Sequence, residues 1–155
     1  MKPKLIVSKL DDKITFTALN EESLEFVLNR CIPSGSDYVC IYDDLNLSIG
    51  FEFCYDFNFN DENGSTAIPS FNVEKGKELI IGLMRNRRNK MFPELDIQYM
   101  RALESGNQTL IQEIVAKKQA LRDVTEIDFS DCVTPEDVKA KWPTELLGNS
   151  PYQTI

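Results

Sequence analysis

The sequence predicts an α+β fold: a small N-terminal antiparallel sheet with one helix, followed by a long kinked helix forming a C-terminal αα-hairpin, and a short terminal helix. Three observations carry this. Short β-like runs separated by turn residues fill the chain up to about Phe71, a helical pattern runs from Val73 to about Glu104, and Ser105-Gly106-Asn107 links it to a second helical pattern.

"LIVSKL" and "ITFTAL", joined by Asp11-Asp12-Lys13, read as an opening hairpin. Asn20 is the expected cap of "EESLEFVLNRC", in which Leu24, Val27, Leu28 and Cys31 fall on one helical stripe, and Pro33-Ser34-Gly35-Ser36 ends that helix. "YVCIY" has strand composition and "DDLN" a turn composition. Next comes "FEFCYDFNFN", residues 51 to 60, with a ring at every second position: Phe51, Phe53, Tyr55, Phe57 and Phe59. As a strand from about Ser48 to Asn60 it would present all five rings on one face, roughly 750 Å² of aromatic surface, more than a soluble monomer leaves bare. Asn63-Gly64 then signals a turn, with Ala67-Ile68 pairing back before Pro69.

Asn72 is the expected cap of the long helix, with Leu79, Ile80, Leu83 and Met84 on one side, followed by Met91, Leu95, Tyr99, Ala102 and Leu103. Pro93 removes a backbone bond to Asn89 and predicts a kink or break. The second helix, Gln108 to about Asp123, carries Leu110, Ile114 and Leu121 on a seam interrupted by Lys117 and flanked by Ile111 and Val115, with Glu113 placed to pair with Lys117. At 1.5 Å per residue the first helix is about 48 Å long and the second about 24 Å, so the return helix covers only the part after Pro93. Residues 73–92 are expected to cover the ring face instead, which makes Phe53→Ser an unfolding substitution. "VTEIDFSDC" reads as an extended linker, and "TPEDVKAKWP" as a helix with Thr134 as cap, Pro135 in its first turn and Pro143 as its stop, docking Trp142 on the hairpin. The expected division is 1–92 as the α+β domain, 93–123 as a helical hairpin arm, and 124–155 as linker, short helix and tail.

At 155 residues and 42% hydrophobic the chain is long enough for one compact domain, or a small one with an appendage. Its basic and acidic residues number 5 and 12 over 1–70, 10 and 7 over 71–123, and 2 and 6 over 124–155, giving charges of −7, +3 and −4. The net −8 argues against general nucleic-acid binding. No apolar run approaches the roughly 18 residues of a membrane span, and "MKPKLIVSKL" lacks a signal peptide's apolar stretch, so a protein made and kept inside a cell is expected.

No histidine is present, and no G-x-S-x-G, P-loop or dinucleotide fingerprint. Cys31, Cys40, Cys54 and Cys132 have no C-x-x-C spacing and read as small core hydrophobes. Asp43, Asp44 and Asp56 are better read as solvated turn or edge residues than as an acid–base pair. "DFNFNDENG" begins like a calcium loop, but Asp61 stands where the sharp turn needs Gly and Ala67 where a bidentate Glu is needed. The expectation is no enzyme, no cofactor and no metal. "RNRRNK", residues 85–90, is the one concentrated basic stretch: the solvated face of a helix, or else a grip for an acidic partner or RNA.

The segment "LDIQYMRALESGNQTLIQEIVAKKQALRDV" and the following "TPEDVKAKWP" resemble small tailed-bacteriophage proteins described as tail fibre or tail assembly chaperones. Leu95, Asp96, Tyr99, Met100, Arg101, Ala102, Leu103, Glu104, Gly106, the run Ala120 to Asp123, Thr134, Glu136, Lys139, Trp142 and Pro143 fit the group's pattern. Val138 stands where the group has Leu, and the weaker upstream similarity begins near Leu24. The resemblance implies a non-enzymatic protein that acts in the host cytoplasm and assists tail or tail-fibre assembly by binding a fibre or tail protein. The alternative it leaves open is a structural virion component, a tail or fibre-connector subunit that itself oligomerises. On the partner-binding reading the candidate contacts are Arg85, Arg87, Arg88, Tyr99 and Trp142. Asp96, Arg101 and Arg122 are expected in ion pairs.

Overall fold

The computed structural model describes residues 4–19, 23–42, 47–48, 50–59 and 69–152. It is mixed α and β, as expected, but the chain divides into two compact units at different positions from those the sequence marks. One comprises Met1–Ser48 with Tyr55–Phe71, the other Ile49–Cys54 with Asn72–Ile155. The whole of the long helix belongs to the second unit, and the hairpin is part of that unit rather than a separate arm.

The first unit is built on three antiparallel strands, β1 (Leu5–Leu10), β2 (Lys13–Ala18) and β3 (Asp37–Ile41), in the order β2-β1-β3. Leu10 pairs with Lys13, so the turn is only Asp11-Asp12, and both take positive φ, 47° and 63°, as a two-residue hairpin loop requires. The helix α1 (Leu24–Arg30) is capped by Ser23, whose Oγ accepts from Phe26 N at 3.2 Å; Asn20 lies outside the described residues. Alternation along β1 sends Ile6 to one face and Val7 to the other. Ile6 and Cys40 pack with Leu19, Val27, Leu24 and Leu28; Cys31 departs from that stripe, closing α1 exposed to solvent. On the other face Val7, Val39 and Ile41 are covered by Phe16, Phe57 and Phe59.

The ringed ribbon is not one strand. Glu52–Cys54 form a 3-10 turn, closed by Cys54 N–H donating to Phe51 O at 2.9 Å, and only Tyr55–Asp56 are extended, as β4, paired with β5 (Ser70–Phe71). A 3-10 turn advances about 120° per residue, so the two-residue period breaks at Phe53 and the five rings cannot share a face. Phe53 is 67% exposed; Tyr55 lies 5.5 Å from Phe71; Phe57 lies 6.0 Å from Phe16. The expected Asn63-Gly64 turn, the Ala67-Ile68 pairing and the "DDLN" turn lie outside the described residues.

The second unit is helical: α2 (Val73–Glu104), α3 (Gln108–Asp123), α4 (Pro135–Ala140) and α5 (Thr144–Leu147). Asn72 caps α2 through Lys75 N at 3.2 Å. The helix runs through Pro93 without a break, with the proline exposed to solvent. Gly106, at φ 65°, closes α2 in a Schellman motif: Asn107 N–H donates to Ala102 O at 3.0 Å and Gly106 N–H to Leu103 O at 3.1 Å. Asn107 then caps α3.

The hairpin seam is rotated from the expected one. Ile111, Ile114 and Leu121 are buried and Leu110 is 38% exposed; the polar member of the seam is Lys118, not Lys117. Lys118 resolves its own burial by setting its ammonium 5.5 Å from the Tyr99 ring centroid and pairing with Asp96.

The first half of α2 buries Gly76, Ile80 and Met84 against α4, α5 and the Glu52–Cys54 turn. The cover is therefore not the expected five-ring strand face: within this unit Phe51 is fully buried, 5.0 Å from Tyr152 and with Lys139 Nζ 5.3 Å from its centroid. The expected linker is packed too, through Val124, Phe129 and Cys132. Pro143 stops α4 but begins the unforeseen α5, whose four residues are too few to carry a periodic signal.

Candidate partner-binding groove

The basic stretch lies in the middle of α2, where a 3.6-residue period spreads its side chains around the helix. Arg85 is exposed. Arg87 donates from Nε to Leu147 O at 3.0 Å, at the end of α5. Arg88 donates from Nη1 to Arg122 O at 2.9 Å and to Leu121 O at 3.4 Å, at the end of α3, while its Nε is buried without a hydrogen-bond partner. The last carbonyls of a helix have no intrahelical donor and carry its negative end, so each guanidinium closes one helix from outside it. Neither arginine is a purely solvated charge.

Trp142 is buried, and its indole N–H donates to Gly148 O at 2.9 Å. It anchors the C-terminal segment beside the first half of α2, not on the hairpin as expected. Tyr99 sits half-buried under Lys118. The five candidate residues thus do not form one site. Arg87 and Trp142 do meet, in an open groove of ≈370 Å³ lined also by Leu83, Asn86, Lys90, Asn149 and Pro151. Leu83, Asn86, Arg87 and Lys90 follow i, i+3, i+4, i+7 spacing, a sequence-visible stripe. Asn149 and Pro151 carry no such signal, because they reach the groove only through the turn after α5.

Comparison with protein-family models, with curated proteins and with solved structures finds no match to this chain.

The groove combines a guanidinium held in place by Leu147 O, an ammonium one turn along the helix, two amide side chains and the apolar surfaces of Leu83, Trp142 and Pro151. Such a lining can hold a carboxylate and the apolar groups beside it. Burial pushes the Cys40, Cys54 and Cys132 thiols up, which keeps them protonated and poor as nucleophiles. Asp137 is held below the usual carboxylate range by the Thr134 and Val133 backbone N–H groups and the Thr134 hydroxyl, the capping box of α4. Asp131 is lowered, and Lys141 raised, by their mutual contact at 2.7 Å. No helix among the described residues is long and apolar enough to cross a membrane.

Proposed function

We propose that this chain is a non-enzymatic bacteriophage protein that assists tail or tail-fibre assembly in the host cytoplasm by binding a fibre or tail protein. The reading is supported by where the residues behind the resemblance sit. Leu95, Ala102 and Leu121 are core, Asp96 and Tyr99 hold Lys118, Gly106 closes α2, Thr134 caps α4 and Trp142 anchors the C-terminal segment. These residues belong to one helical unit, while others of the same pattern, among them Met100, Leu103 and Glu104, lie on its surface. Holding an unassembled chain demands a presented patch with apolar contacts, complementary charge and an off-rate fast enough for release.

Coexpression with the fibre protein encoded in the same genome tests the reading. The expected result is more soluble, trimeric fibre than without this chain; an unchanged yield overturns it. Peptide mass spectrometry of purified particles is expected to find the chain absent or sparse, and stoichiometric presence would make it a virion component instead.

A further inference from the structure

We infer that the groove between the first half of α2 and the turn after α5 is a seat for one acidic side chain, Asp or Glu, flanked by apolar residues in an extended partner segment. The inference deepens the proposed function by naming the chemistry the client presents. Three observations carry it. Arg87 is oriented before any ligand arrives, because its Nε–H is committed to Leu147 O and the guanidinium plane is thereby fixed; Gly148 approaches its Nη2, where an added Cβ would stand 3.4 Å away. The remaining guanidinium N–H groups face a carboxylate with little further ordering cost. Lys90 stands one turn along α2 on the same groove and supplies the second positive charge, with the Asn86 and Asn149 amides beside it. Leu83, Trp142 and Pro151 complete the lining with apolar surface, which a bare anion would leave uncovered but a peptide's neighbouring side chains would fill.

The choice of a single carboxylate over a polyanion follows from charge. The chain carries −8 overall, whereas a nucleic acid needs net positive potential along the surface it follows. One carboxylate flanked by neutral residues places its charge only where the two cations are.

The test is a titration of the full chain with a short, acetylated and C-amidated peptide bearing a central Glu between Leu and Val residues, followed by fluorescence anisotropy and by the indole N–H resonance of Trp142. The expected result is that the Gln version binds about tenfold more weakly, the loss typical of one charge-assisted contact. Lys90 is exposed and makes none of the helix-closing bonds, so Lys90→Glu is expected to leave the melting temperature unchanged, abolish the preference for Glu and transfer it to a peptide with central Lys. Equal binding of the Glu and Gln peptides, an unmoved Trp142 resonance, or tighter binding of a single-stranded oligonucleotide at the same groove overturns the inference. The coexpression assay separates it from the broader reading. If Lys90→Glu loses the peptide yet still solubilises the fibre, the client sits elsewhere and this inference falls while the function stands. Glu-selective binding by a chain that leaves fibre yield unchanged supports the groove and removes the function.

Discussion

Phe51 and Phe53 stand two positions apart in a run of alternating rings, and a single 3-10 turn gives them opposite fates. Phe51 is enclosed by Tyr152 and the Lys139 ammonium, so Phe51→Ala is expected to cost about 3–5 kcal/mol in urea unfolding. Phe53→Ser is expected to change stability by less than about 1 kcal/mol, against the expectation that this substitution unfolds the protein. Asp137 makes a pH prediction. Its folded-state pKa is depressed, so its contribution is fully present above the unfolded value near 4 and is lost as pH falls through the lower folded value. Asp137→Asn should therefore lower the melting temperature at neutral pH and converge with the parent in strong acid. Lys141 is raised and acts at the other end: its share is present below an unfolded pKa near 10.4 and is lost as pH climbs through the folded one. Caps were legible in the sequence at Asn72, Asn107 and Thr134 because a cap is decided within four residues. The burial of Phe51 was not legible, since its partner Tyr152 lies far along the chain. For the groove, Arg87 and Trp142 were legible as candidates but Asn149 was not.

In α3 the choice between seams amounts to a rotation of one residue, and side-chain truncation measures it. Leu121→Ala is expected to cost about 2–5 kcal/mol and Leu110→Ala less than about 1 kcal/mol by denaturant unfolding; equal losses would restore the seam with Leu110 at its centre. The sequence marks both helices and their link correctly, because length, caps and Gly106 act locally. It leaves the rotation open, because Leu110 and Ile111 are equally apolar and only the placement of Lys118 over Tyr99 and beside Asp96 chooses between them. Pro93 presents a related case. With the ring facing solvent and the helix continuous, Pro93→Ala restores one backbone bond and is expected to stabilise by about 1–2 kcal/mol, less than the full intrinsic penalty because the more flexible Ala also gains entropy when unfolded.

Across the whole molecule the sequence conveys the class, strands first and helices after, but not the partition. A pattern read in chain order assigns residues 51–59 to one element, whereas Ile49–Cys54 belong to the helical unit and Tyr55–Phe71 to the sheet unit. A fragment comprising residues 72–155 should accordingly melt below the intact chain and bind an apolar dye, having lost Phe51 and the buried Cys54; a fragment as stable as the parent would show that the turn contributes nothing. The same arrangement bears on biosynthesis. Phe51 leaves the ribosome about a hundred residues ahead of Tyr152, an interval on the order of 5–20 s at ordinary translation speeds, so the nascent polypeptide carries this ring without its aromatic partner until Tyr152 is made.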